Sequence, residues 1–584
     1  MFKLLRHLTV KEMLLIFICL VLVVVQVWLS LTLPDYMALI TRLVQTKANA
    51  MRDILRAGSM MMLFTVAIFA ITFITGFFVA KTSSGLAMRL RENVFKKTLR
   101  FSMQEMNKFS TSSLITRSTN DINQIQMFFM MALKIGIRAP IMAIWAVIKM
   151  YGKSWEWTAV TGIFVVLLLG MIGTIYALTI PKFTIIQKLT DSLNRVTREN
   201  LNGIKVVHAY NAEKYQEKKF GRVNEELTKT SLFTHRLMSV AEPGMQFLLM
   251  GLVLSIYWVG TYIINGAPDA VRLNLFSDMI VFSSYATQVI ASFMILTMIL
   301  LFFSRATVSA KRINEVLESP IDIVDGDVNV TGKRKKGCIE FKNVCFRYPD
   351  AVSDILHNIS FTVNTGETVA IIGATGSGKS TLVNLIPRFY DVRTGEVLID
   401  GINVKDYNQK KLRNKLGYVS QKAVIFRGTV ISNVAYGENG KPKPTKYKIK
   451  RAIKIAQAQK FVERMNKQYK ADIAQRGSNL SGGQKQRLSI ARSICREPEI
   501  YIFDDSFSAL DNKTDLALRK ALKKNIKGST FLIVAQRVGT IINADKILVM
   551  DKGEIIAQGK HDELMKTCPI YIDIAKSQLG KGNK

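Results

Sequence analysis

Six runs of apolar residues fill the first half of the chain, at residues 13–33, 59–80, 127–150, 158–180, 244–264 and 279–303. Each is about the length an α-helix needs to cross the hydrocarbon core of a bilayer. Two long polar stretches, 81–126 and 182–240, separate the second run from the third and the fourth from the fifth. They are too long for turns, so they are predicted to extend the flanking helices, reversing near 111–120 and 202–210. Within the second stretch Phe220, Val223 and Leu227 recur at three- and four-residue spacing among acids and bases, a helical pattern. After Glu315 the pattern changes. Residues 320–336 read as a polar linker, and from Gly337 short apolar strands alternate with helices, the rhythm of an α/β domain. The predicted organisation is an all-α six-helix transmembrane domain over 1–315, a linker over 316–336 and an α/β domain over 337–584.

Charge orients the spans. The stretch 81–126 carries eight Lys/Arg and 182–240 carries eleven, against six on the other side: Arg42, Lys47, Arg52, Arg56, Lys153 and Arg272. The positive-inside rule therefore predicts both long loops and both termini in the cytoplasm. The first apolar run is too long for a signal peptide and no small-residue cleavage site follows it, so it is predicted to be retained. A net charge of +36 over 584 residues fits an anionic lipid surface, although a general lysine bias explains part of the excess. The lysine-rich segment 441–451 reads as a solvated face, and no nucleic-acid partner is predicted. The five cysteines, an odd number with no C-x-x-C pair, read as small buried residues rather than a disulfide framework or metal site.

The α/β half carries the chemistry. Gly373-Ala374-Thr375-Gly376-Ser377-Gly378-Lys379-Ser380 matches the G-x-x-x-x-G-K-[ST] P-loop, preceded by an apolar strand at 368–372 and followed by a helix starting near Ser380. Glycines let backbone N–H groups approach phosphate oxygens, and the helix start adds its dipole. In that pattern Lys379 contacts the β/γ-phosphates and Ser380 holds Mg²⁺. A second apolar strand, 500–503, ends in Asp504 and Asp505, the first suited to Mg²⁺ and the second placed where a base or water-orienting group stands. Between them lies Ser481-Gly482-Gly483-Gln484.

P-loop, Ser-Gly-Gly-Gln and Asp-Asp in this order resemble the ATPase domain of ABC transporters, and the six spans resemble the exporter branch of that family. The resemblance covers almost the whole chain. It implies ATP and Mg²⁺ as cofactors, and two ATPase domains that close head to tail with each ATP between one P-loop and the other domain's signature. By the same resemblance Tyr348 stacks on adenine, Gly373, Thr375–Gly378 and Lys379–Thr381 (residues 373 and 375–381) hold the nucleotide, and Gln421 senses Mg²⁺. Ser481, Gly482, Gly483 and Gln484 complete the opposite site, Asp511 belongs to the loop that touches it, and Arg476-Gly477 resembles the segment that contacts the coupling loops. Two positions depart from the family pattern: Asp505 stands where the family has a catalytic glutamate and Gln536 where it has a switch histidine. An aspartate is one methylene short, and misplacing a reacting group by about 1 Å can cost on the order of a hundredfold. Glutamine can hydrogen-bond a phosphate but carries no charge there.

These departures predict the degenerate subunit of a heterodimeric exporter, its partner a second half-transporter with Glu and His restored. The alternatives are a homodimer with two slow sites and, from a different class, an ATP-gated channel or regulatory subunit. The cargo is predicted to be a hydrophobic or amphipathic small molecule of the multidrug type, with lipid or peptide export as the alternative, across a bacterial plasma membrane. Arg138, in the third span with Lys134 one turn before it, is the candidate cargo contact, since charge at membrane depth is costly and often functional. Lys149 is read as a residue that snorkels to the interface. Gln26, Gln246 and Gln288 serve helix packing or cargo equally well.

Overall fold

The computed structural model describes residues 2–45, 51–151, 154–327 and 336–579. The Lys333-Arg334-Lys335 part of the linker, Lys47 and Lys153 lie outside the described residues. Among the described residues, six helices or helix runs are long and apolar enough to cross a membrane: Val10–Val44, Met51–Leu99, Thr111–Tyr151, Trp155–Asn202, Glu213–Asn265 and Val271–Leu296. The chain divides into two compact units, one of Met1–Leu99 with Thr111–Ser319 and the other of Arg100–Ser110 with Pro320–Lys584.

In the first unit the helices run far beyond a bilayer. Met51–Leu99 has 49 residues and Asp269–Glu318 has 50. At ~1.5 Å per residue each is about two and a half times the ~30 Å hydrocarbon thickness, so a long polar extension is built into the same helix. Half of the apolar window of Val271–Leu296 is buried against other helices but only 11% of that in Met51–Leu99, which makes the last span the centre of the bundle. Phe282, Tyr285, Ala286, Val289 and Ile290 pack there against Val23, Val27 and Leu31 of the first span and Met142, Ala146 and Met150 of the third.

Polar groups inside this bundle find each other. Gln26 Nε2 donates to Thr72 Oγ1 at 2.7 Å, a helix-packing role. Lys149 does not simply snorkel: its Nζ lies 2.6 Å from Asp35 Oδ2, and Tyr285 donates to Asp35 Oδ1 (2.8 Å) and to the Leu31 carbonyl (2.9 Å). The third span is not one regular helix. A five-residue π-turn, Ala132–Gly136, interrupts it just before Arg138–Tyr151.

The first reversal is not where the Thr/Ser-rich sequence puts it. Residues 111–118 form a regular helix, Thr111–Ser118, and the chain turns instead through Arg100–Ser110. There Ser102 caps the short helix Met103–Phe109 in a capping box with Glu105, whose other oxygen accepts from Asp322 N at 3.0 Å. The second reversal falls as expected, in the short helix Ile204–Ala209 between Trp155–Asn202 and Glu213–Ser239.

Among the described residues the second unit holds twelve strands: β1 Ile339–Phe346, β2 Leu356–Val363, β3 Thr368–Gly373, β4 Thr394–Ile399, β5 Ile402–Asn403, β6 Leu416–Val419, β7 Gly428–Thr429, β8 Asp472–Ile473, β9 Ile500–Asp504, β10 Thr530–Val534, β11 Lys546–Asp551 and β12 Glu554–Gly559. The main sheet has the order β12-β11-β3-β10-β9-β6, parallel from β11 to β6. Its central strands are apolar apart from Thr368, Thr530 and Asp504 at their ends, because both faces are covered, as parallel sheets require; β9 and β10 are buried at every residue. A four-stranded antiparallel sheet, β2-β1-β4-β5, and the pair β7-β8 complete the unit. All five cysteines are free; Cys19, Cys495 and Cys568 are buried as expected, but Cys338 and Cys345 are only half-buried.

Candidate nucleotide-binding site

Parallel pairing brings the C-terminal ends of four strands to one edge of the main sheet. Val534 stands opposite both Ile371 and Asp504, and Val419 opposite Phe503, so the residues that follow β3, β6, β9 and β10 emerge side by side. Ligands bind at such an edge in open parallel sheets. Those residues are the P-loop, Gln421, Asp505 and Gln536.

The P-loop is tightly seated on one side and open on the other. A Cβ at Gly373 would lie 2.0 Å from the Met550 carbonyl oxygen, and one at Gly378 2.8 Å from Leu356 Cδ2. Gly376 and Gly378 have φ of +86° and +94°, the left-handed region that lets successive N–H groups converge on one concavity, and around Gly376 the space is open. Lys379 spans the loop: its buried Nζ donates to the carbonyls of Gly373 (2.9 Å) and Ala374 (2.7 Å) and to Ser377 Oγ (3.3 Å). Burial pulls its pKa down, while Asp505 and Asp504 oppose that shift. Thr375 lies in the same loop, and Thr381, one turn into the helix, meets the Tyr348 hydroxyl at 3.1 Å. Tyr348 in turn packs edge-on against Phe346 and Tyr390.

Ser380 Oγ donates to Asp504 Oδ1 at 2.8 Å. Burial raises the pKa of Asp504, as does the neighbouring Asp505, while the Ser380 bond lowers it. Serine hydroxyl, aspartate carboxylate and glutamine amide form a hard-oxygen donor set that fits Mg²⁺, with phosphate and water oxygens making up the octahedron. Ser380, Asp504 and Gln421 would hold the ion, which supplies neutralising charge to the phosphates when bound.

Asp505 occupies a constrained position. Its φ is +46°, its N–H donates to the Val534 carbonyl at 3.1 Å, and Ser508 Oγ donates to its own carbonyl at 2.8 Å. One carboxylate oxygen, Oδ2, accepts from both Gln536 Nε2 (2.8 Å) and Gln421 Nε2 (3.3 Å). Burial raises its pKa, and the Gln421 bond and the Lys379 charge pull it back. The two residues that depart from the family pattern are thus bonded to each other.

The signature residues stand apart from this cluster. Ser481 caps the helix Gly482–Cys495 in a capping box with Gln484, and a Cβ at Gly483 would lie 3.2 Å from the Ala509 carbonyl oxygen. Asp511 caps Asn512–Asn525, accepting from Thr514 N (2.9 Å) and Oγ1 (2.7 Å), bonds that lower its pKa. Neither hydrogen-bonds the P-loop of its own chain. Arg476 and Gly477 form a short 3₁₀ turn just before the signature, Arg476 with φ +57°. Arg138 is part of the membrane unit: half-buried, directly after the π-turn, and without a hydrogen-bond or ion-pair partner among the described residues.

Comparison with known proteins follows the same division. Residues 16–293 match the family model of the ABC transporter transmembrane region and residues 356–508 that of the ABC transporter. An ABC transporter ATP-binding protein of Mycobacterium bovis is 35% identical over 85% of this chain and 85% of its own length. This chain belongs to the ABC transporter family. The Bacillus subtilis ABC transporter ATP-binding protein YfiB is 34% identical over 90% of this chain and 89% of its own. An ATP-dependent lipid A-core flippase of Pseudomonas aeruginosa is 31% identical over 85% and 80%. The structure of a bacterial Atm1-family ABC exporter with ATP bound superposes with a TM-score of 0.79 at 22% identity, covering 99% of both chains. This ABC transporter is therefore a multi-pass membrane protein with the exporter half-transporter fold, its membrane domain fused to an ATP-binding domain.

Gln578 escaped the sequence reading. It lies in the C-terminal helix Pro569–Leu579, and its amide reaches the loop that carries Gln536. No motif marks it, because its role depends on helix packing rather than on local spacing.

Proposed function

We propose that this chain is the degenerate subunit of a heterodimeric ABC exporter that moves hydrophobic or amphipathic small molecules out of the cell. Its P-loop binds MgATP through Lys379, Ser380 and Asp504, and its own site hydrolyses that ATP poorly. The carrying observation is the saturation of Asp505: one oxygen already accepts from Gln536 and Gln421. A carboxylate tied to two amides, and one methylene shorter than glutamate, is badly placed to orient an attacking water. Binding groups and hydrolytic groups are thereby separated within one site.

In the working pair, Ser481, Gly482, Gly483 and Gln484 complete the partner's ATP site, where glutamate and histidine perform hydrolysis. Closure of the two ATPase domains turns the helices outward, and hydrolysis at the partner's site resets them. Arg138, a half-buried cation without a hydrogen-bond or ion-pair partner among the described residues, supports a cargo contact at membrane depth. A second reading, lipid export, is favoured by the relatives named lipid A-core flippases. Vesicle reconstitution with a second half-transporter tests both. Accumulation of a hydrophobic dye against its gradient supports the multidrug reading and headgroup translocation without dye transport supports the lipid one. Flux only down a gradient overturns both in favour of a channel.

A further inference from the structure

We propose that Gln578 is the positioning residue of Gln536, so that the C-terminal helix sets the geometry of the ATP site. The inference rests on the reading of Gln536 as the switch residue.

The helix Pro569–Leu579 is anchored by Tyr571 and Ala575, both fully buried in the core of the ATPase unit, and the Tyr571 hydroxyl bonds His561 Nδ1 at 2.8 Å. Gln578 follows at the i+3 position from Ala575 and i+7 from Tyr571, on the same side of the helix but at its exposed end. Its amide is used at both ends. Oε1 accepts from Val538 N and Nε2 donates to the Gln536 carbonyl, each at 2.8 Å. One acceptor and one donor bracket the segment 536–538, and this pairing fixes the orientation of the amide, since a flipped one would oppose like groups.

Both ends of that segment need such a partner. Val538 opens the four-residue helix Val538–Ile541, whose first N–H groups have no acceptor within the helix, and the preceding Arg537 makes no side-chain cap. Gln578 caps it from another element. On the strand side Ala535 N donates to the Ile371 carbonyl at 3.0 Å. The backbone of Gln536 is therefore gripped on one side by β3 and on the other by Gln578, and its side chain is aimed at Asp505 Oδ2 at 2.8 Å. Besides Gln578, the stretch between Ala535 and the helix is held by the Gln536 side chain on Asp505 and by Arg537, whose guanidinium donates to Asn512 Oδ1 at 3.1 Å.

The test uses the full-length chain in lipid nanodiscs, with kcat, KM for MgATP and melting temperature measured for each variant. Gln578→Ala loosens the Gln536 amide on Asp505 and is expected to raise the low kcat about fivefold, the effect of losing roughly one net hydrogen bond, with KM unchanged. Gln578→Glu keeps the acceptor for Val538 N but sets an oxygen against the Gln536 carbonyl. It should therefore raise kcat at least as far, and it carries the test should the alanine variant not fold. A purely structural tether would instead be largely rescued by glutamate. In a Gln536→Ala background, Gln578→Ala should cause no further change in kcat. Additive changes, or unchanged kcat in Gln578→Ala and Gln578→Glu while Gln536→Ala raises it, overturn this inference alone. Unchanged kcat in Gln536→Ala overturns the switch reading and the inference with it.

Discussion

Asp505→Glu combined with Gln536→His is the perturbation most closely tied to the geometry of the ATP site. In the parent, Gln536 Nε2 stands 2.8 Å and Gln421 Nε2 3.3 Å from the same Asp505 oxygen. The glutamate adds one methylene and advances the carboxylate by about 1.5 Å. Since a misplacement of about 1 Å costs on the order of a hundredfold, Asp505→Glu alone is expected to raise turnover about tenfold, held back because Gln536 still competes for the carboxylate. Gln536→His removes that amide and adds a side chain that can carry charge, bringing the double variant to about a hundredfold. Glutamate is less at ease than aspartate at φ +46°, so a stability loss of about 1 kcal/mol or less is expected and should be followed by the melting temperature. The assay is phosphate release by the full-length chain in nanodiscs at saturating MgATP, with ATP affinity measured in parallel. A double variant that binds ATP as tightly as the parent yet turns over no faster refutes the argument from reach and saturation.

Gly373→Ala should lower the melting temperature of the ATPase domain by the equivalent of about 1–3 kcal/mol, because its Cβ would lie 2.0 Å from the Met550 carbonyl; calorimetry showing parent-like stability contradicts the seating of the P-loop. Asp504 and Asp505 both have pKa values raised by burial. A carboxyl that holds its proton more tightly when folded costs stability as pH rises from the ordinary carboxylate range through the raised folded value. Without nucleotide, the melting advantage of Asp504→Asn over the parent should grow through that window and then level off, whereas a pH-independent difference counts against it. In the membrane unit Asp35→Asn should cost about 1–2 kcal/mol in detergent, less than a fully buried pair because Lys149 and Asp35 remain about a third exposed. Adding Lys149→Met should recover part of that loss, and a fully stable Asp35→Asn would remove the pair's structural role.

Some of this architecture is legible in local pattern and some is not. The spans and the strands before the P-loop and Asp504 follow from runs of apolar residues whose length or flanking motif admits one element. Turns were less legible. Thr111, Ser112 and Ser113 carry turn-like chemistry, yet they form a regular helix, while Ser102 and Glu105 close the capping box that starts the reversal helix. That box is visible as S-x-x-E, but the neighbouring Thr/Ser cluster is the louder signal. Ion pairs such as Asp35–Lys149 join residues more than a hundred positions apart, so spacing says nothing of them and Lys149 alone looks like an interfacial lysine. The bond between Asp505 and Gln536 is of the same kind. Each departure is visible by its letter, but their mutual engagement arises from strand order, which sets β9 beside β10.

The separation of binding from hydrolysis is tested most directly by the nucleotide this chain retains. The full-length protein in nanodiscs is incubated with labelled MgATP, freed of unbound label and quenched after increasing times. A competent site turning over at about 10 s⁻¹ converts its nucleotide within a second. Retained nucleotide that is still ATP after minutes is the predicted result, and ADP accumulating on the timescale of seconds contradicts it.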